Sequence, residues 1–179
     1  MKKTALLAAL TLGSVAMYGQ GTINTFNGFP PTPTSEIAYV RDYSPGVGDL
    51  LATATGRVEL LTLEGQVLSS VKDGTGNPLA LPGLFSLGVT TIPGSTAGQP
   101  ASVILRAWDN TTGSTYATAL ERKSVVVTFP TVGGPTAPSN FVTGSNFTGL
   151  QLELVPEPST VALAALGVAG LFFVVRRKN

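Results

Sequence analysis

The middle of this chain, residues 20–154, is predicted to be all-β, an antiparallel β-sandwich of about eight strands. Three observations predict it. Proline and glycine recur so often that only one uninterrupted stretch of this region, residues 114–129, exceeds a dozen residues, which excludes long helices almost everywhere. Apolar residues alternate with polar ones in short runs, the period of a half-buried strand. Turn-forming clusters separate those runs. Each such strand must bury one face, and two antiparallel sheets packed face to face satisfy that need.

Taken in order, the first strands fall at residues 21–26 and 37–43. Residues 55–63 and 66–71 are separated only by Glu64-Gly65 and predict a hairpin. Phe85, Leu87 and Val89 then alternate with Ser86, Gly88 and Thr90, and residues 101–108 form the next run. Val125, Val127 and Phe129 face one way against Ser124 and Thr128, although Val126 breaks the polar side. Leu150, Leu152 and Leu154 alternate with Gln151 and Glu153. The connectors Asp73-Gly74-Thr75-Gly76-Asn77-Pro78, Pro93-Gly94-Ser95 and Asp109-Asn110-Thr111-Thr112-Gly113 carry turn chemistry. Residues 116–123 have the length for two helical turns, but the valine-rich stretch after them pulls toward strand.

The 179 residues contain neither cysteine nor histidine. No disulfide can form, and catalysis loses its commonest general acid/base and zinc ligand. Five of the eleven basic residues sit at the ends: Lys2, Lys3, Arg176, Arg177 and Lys178. Between Lys3 and Arg176 six basic residues face ten acidic ones, a net charge of −4. A mildly acidic body with scattered cations has no electrostatic footprint for nucleic acid.

Both ends read as targeting devices. Met1-Lys2-Lys3 is followed by an apolar run over residues 5–17, too short to span a bilayer but suited to the core of a signal peptide. The expected partners are the Sec translocon and signal peptidase, with cleavage after Ala16 or Gly19, so residues 1–19 are assigned to the signal. Residues 161–175 are apolar or glycine throughout. As a helix they would span about 22 Å, which Ser159, Thr160 and a snorkelling Arg176 can extend toward the roughly 30 Å hydrocarbon core. The basic residues Arg176, Arg177 and Lys178 should stay cytoplasmic, which places the body outside the membrane. Pro156 and Pro158 hold the preceding segment extended, so a single C-terminal transmembrane helix can start only after Pro158.

Val155-Pro156-Glu157-Pro158-Ser159-Thr160, the apolar run and the basic end, in that order, resemble the PEP-CTERM sorting signal over residues 155–179. The resemblance implies recognition by exosortase, a multispanning membrane protease, with removal of the tail and delivery to the cell surface. Such signals are typical of Gram-negative bacteria that make extracellular polysaccharide and biofilm. Pro156, Glu157 and Pro158 are then substrate residues of another enzyme. Residues 103–109 with Gly113-Ser114-Thr115-Tyr116 also resemble a segment of small secreted proteins bearing this signal, which adds no chemistry.

In the body, Trp108 is the single tryptophan, at a strand end. With Tyr116, and with Tyr39 and Tyr43 nearby in type, it could stack on sugar rings; alternatively it anchors the core, the commoner role of a lone tryptophan. Asp73 and Asn77 flank a glycine-rich loop that could approach calcium, but it falls short of six to eight oxygen ligands and reads as a solvated turn. Asp42 and Asp49 flank another loop, and glycoside hydrolysis would require their carboxyl groups at a defined separation. No G-x-S-x-G elbow or phosphate loop is present, and a Ser–Lys dyad would have to use Lys72 or Lys123. The expectation is a non-enzymatic surface or matrix protein without catalytic residues, metal or cofactor, structural or adhesive in exopolysaccharide. The alternatives are a carbohydrate-binding module using Trp108 and nearby tyrosines, and a hydrolase built on carboxylates.

Overall fold

The structure is a computed structural model that describes residues 19–28, 37–43 and 48–155. Residues 1–18 of the proposed signal peptide, the apolar C-terminal run and its basic end lie outside the described residues. Within them the chain is all-β: β1 (Thr22–Phe26), β2 (Val40–Arg41), β3 (Gly56–Leu61), β4 (Asn77–Pro78), β5 (Ser86–Thr91), β6 (Ala101–Asp109), β7 (Glu121–Phe129), β8 (Ser139–Asn140), β9 (Leu150–Gln151) and β10 (Glu153–Leu154). They form three sheets, ordered β5-β1-β8, β10-β7-β6-β3-β4 and β2-β9. The arrangement is consistent with a β-sandwich. Pairing is antiparallel except for two short parallel pairs, β1 with β8 and β2 with β9.

The largest sheet grows from the sequence features that predicted it. In β6, Val103, Leu105 and Ala107 turn inward together, and β7 answers with Val127 and Phe129 while Val126 stays exposed. The two strands pair over eight residues each, from Ala101↔Phe129 to Trp108↔Arg122. The loop between them makes one helical turn, in which the Ala119 N–H donates to the Thr115 carbonyl, before β7 begins at Glu121. β-Branched Val125-Val126-Val127 has won over the short helix.

The hairpin expected at residues 55–71 forms only in part. β3 pairs along its length with β6, and its other edge is shared between β4 and a single bridge, Leu61↔Val67. The N–H groups of Leu68 and Ser69 both donate to the Leu60 carbonyl, so the chain departs there instead of extending a ladder. β5 departs from simple alternation for a related reason. Gly88 adopts φ +76° and the register with β1 shifts between Asn24 and Phe26, a bulge that places one extra residue in β5. The side chains swap faces there: Phe85 is buried before it, Thr90 and Ile92 after it, and Val89 points outward. The third alternating run is cut as well. β9 pairs in one sheet, β10 in another, and the buried Leu152 sits at the crossing while Leu154 is exposed.

The core joins these layers. Ile23, Val40, Val58, Leu60, Val103, Leu105, Val127, Leu150 and Leu152 pack around a cluster of phenylalanines. Phe141 is its hub, meeting Phe85 at 5.4 Å, Phe129 at 5.8 Å and Phe147 at 5.2 Å between ring centroids, all edge-on. Edge-on pairs add about 0.5–1.5 kcal/mol each beyond the area they bury. Asn27 ties the loops above this cluster. Its amide donates to the carbonyls of Ala38 (2.8 Å) and Gly83 (3.1 Å), and its Oδ1 accepts from the Phe85 N–H (2.6 Å), all fully buried.

Candidate functional site

Three places in the described residues bear on function: the exit of the C-terminal segment, the surroundings of Trp108, and a carboxylate cluster. The exit comes first in the chain logic. β10 is an edge strand of the largest sheet, with Glu153 opposite Arg122 and Leu154 opposite Glu121. Lys123 and Glu153 form an exposed ion pair, and the Val155 N–H donates to the Leu120 carbonyl at 2.7 Å. The body therefore delivers Val155 extended at a sheet edge. Pro156, Glu157, Pro158, Ser159, Arg176, Arg177 and Lys178 lie outside the described residues.

Trp108 is fully buried, yet on the face of β6 opposite Val103, Leu105 and Ala107, and outside the main core cluster. Two loops enclose it. Gly76 lies against the ring so closely that a Cβ there would stand 2.2 Å from the indole Cη2, which, with φ +71°, admits only glycine. Tyr116 meets the ring edge-on at 6.0 Å between centroids. The guanidinium groups of Arg106 and Arg122 lie 4.8 Å and 5.4 Å from the Tyr116 ring centre, and Arg122 also donates to the Tyr116 and Ala117 carbonyls. Arg106 stands 3.9 Å from the buried Glu59, whose carboxyl is pushed up by burial against the lowering effect of that arginine. A tryptophan with no exposed surface has no face to lay on a sugar, and the Tyr116 ring is already engaged by two cations.

The carboxylate cluster joins residues distant in sequence. Asp42 follows β2, Asp109 ends β6 and Glu121 begins β7, with one oxygen from each lying within 4.8 Å of the others. Asp109 is held by Thr55 Oγ1 (3.2 Å) and by the N–H and hydroxyl of Thr111 (both 2.7 Å). Burial raises the Glu121 carboxyl above its usual range, reinforced by its hydrogen bond with Asp42 and by repulsion from Asp42 and Asp109. The arrangement gathers three carboxylates, which with one oxygen each do not by themselves reach the six to eight oxygens a calcium ion takes. Sequence reading paired Asp42 with Asp49, but only their backbones meet, Asp42 N–H to Asp49 carbonyl at 2.8 Å. The grouping follows from the observed β6–β7 register, which one step beyond Trp108↔Arg122 sets Asp109 opposite Glu121.

A group whose pKa is raised by folding stabilises the fold fully below its ordinary value, and that contribution is lost as pH rises through the folded value. Glu121→Gln keeps a donor toward Asp42 and removes the proton that must be surrendered. The variant should have a higher urea midpoint than the parent near pH 7, with the gap closing as pH falls through the raised folded value and gone below about 4.5, the ordinary glutamate value. Equal midpoints across that range would contradict the arrangement.

The remaining candidates resolve into turns. Asp73 Oδ1 accepts from the N–H and hydroxyl of Thr75, which hold its carboxyl below the usual range, while Asn77 Oδ1 accepts from Ser70. Lys72 is exposed and Lys123 is paired with Glu153. Among known proteins, residues 154–178 match the PEP-CTERM protein-sorting motif. That motif implies export, transient membrane anchoring and processing by exosortase, a membrane protein. No curated protein and no solved structure matches the chain.

Proposed function

We propose that the chain is an exported protein whose body, residues 20–154, ends up on the cell surface or in the extracellular matrix, where it serves a structural or adhesive role among exopolysaccharides. The Sec translocon exports it, signal peptidase removes residues 1–19, and a membrane helix over residues 161–175 holds it until an exosortase-like protease trims the tail. The observation that carries this reading is the sorting motif beginning at residue 154, where the folded body ends in an extended edge strand. The body acts as a β-sandwich without catalysis of its own. Supporting that, the chain contains no histidine or cysteine, and Trp108, the best sugar platform on paper, is spent on the interior.

Mass spectrometry of the mature protein from its native host tests the whole route. The expected product begins after Ala16 or Gly19 and lacks residues 161–179. Full-length chains soluble in the cytosol, with both ends intact, would overturn the proposal.

A further inference from the structure

Residues 154 and 155 belong to two structures at once. They open the segment that matches the sorting motif, and they also complete the largest sheet, Leu154 opposite Glu121 and Val155 donating to Leu120. Building on the sorting proposal, we infer that β10 is a releasable strap: the processing protease must strip Glu153, Leu154 and Val155 from β7 to grip its substrate.

Reach is the first reason. Only residues 156–160 separate Val155 from the apolar run that starts at Val161. Fully extended, that leash covers about 20 Å. A membrane protease must close around the backbone within that gap, against the edge of a five-stranded sheet. Freeing residues 153–155 adds about 10 Å. The second reason is hydrogen bonding. Proteins that capture an extended peptide do so largely through its backbone groups, and the Val155 N–H is already given to Leu120.

The strap is built to come away and to stop coming away. β10 pairs over two residues, Leu154 is 49% exposed, and the Lys123–Glu153 ion pair lies in solvent, where such pairs hold weakly. One residue earlier, Leu152 is buried and its N–H donates to the Arg41 carbonyl at 2.9 Å. Peeling therefore ends at Leu152 with the core intact.

The chain has no cysteine, so an engineered pair has one way to close. Leu154 and Glu121 face each other without exchanging hydrogen bonds, the cross-strand position whose close Cα approach admits a disulfide. In the native host, tail removal from full-length L154C/E121C should be at least tenfold slower oxidised than after mild reduction. S102C/T128C, which cross-links β6 to β7 where the two hydroxyls already lie 3.0 Å apart, should be processed at the parental rate in both states. Equal rates for oxidised and reduced L154C/E121C would overturn the strap and leave the sorting proposal standing. A parental chain that never loses its tail would overturn both. Should the disulfide variant fail to fold, K123E sets like charges beside Glu153 without touching residues 154–178. It should be trimmed two- to threefold faster, with the parental rate recovered in K123E/E153K, and an unchanged or slower rate would overturn the strap.

Discussion

Trp108→Ala should destabilise the domain by about 3–5 kcal/mol, the range seen when a buried large aromatic is truncated. The expectation follows from what the ring holds down. It has no exposed surface, it supports the loop at Gly76, and it seats Tyr116 with its two arginines. Removing it opens a void on the outer face of the sheet beneath the Gly76 loop and the Tyr116 ring. Trp108→Phe is the informative companion. The indole Nε1 has no hydrogen-bond partner among the described residues, and a buried donor left unpaired is unfavourable by about 1–3 kcal/mol. Phenylalanine gives up some contact area but removes that donor, so its loss should stay within about 1 kcal/mol. Urea denaturation of the two variants decides the matter: equal large losses would show that the indole nitrogen has a partner, and two small losses that the ring is not the prop described.

The second large effect concerns Asn27. Asn27→Ala should lose roughly 3–5 kcal/mol, because the Ala38 carbonyl and the Phe85 N–H would be stranded in the interior, while the Gly83 carbonyl keeps only the Val40 N–H. The diagnostic variant is Asn27→Asp. Ionised, it turns an acceptor toward the carbonyls of Ala38 and Gly83, where the amide now donates. It should be at least as damaging as alanine near pH 7 and should recover part of its midpoint under mildly acidic conditions, when protonation restores one donor. A pH-independent loss would mean that the side chain fills space and does not bridge.

The parts of this fold legible in the sequence are those governed by local period. The inward residues in the later half of β7 follow directly from alternation, and Pro100 and Gly113 bracket the run that becomes β6. Legibility fails where the backbone breaks period. Val89 continues the pattern of Phe85 and Leu87 on paper, but the bulge at Gly88 turns it outward. Leu154 continues Leu150 and Leu152, but the strand changes sheets between them. β4 and β8 are two residues each, too short to have a period, and Pro78 argues against a strand in any linear reading.

Site residues divide along the same line. The C-terminal sorting segment is a linear word and could be read as one. The meeting of Asp42, Asp109 and Glu121 depends on strand register and on a loop from a different sheet, so local patterns pointed to Asp49 instead. Trp108 could be weighed as a core anchor from its rarity. That it is buried beneath a glycine loop, on the side away from the main core, is a property of the assembled sheet.

The passage of one short stretch from the sheet of β2 to the sheet of β7, with Leu152 as the pivot, has a mechanical meaning. Any pull on the tethered end is taken up first by the weak seam along β7 and then by a leucine wedged between two layers. Traction from outside the cell is thus shared by both layers and does not tear one hairpin loose, and the domain yields a few residues of slack before its interior is strained.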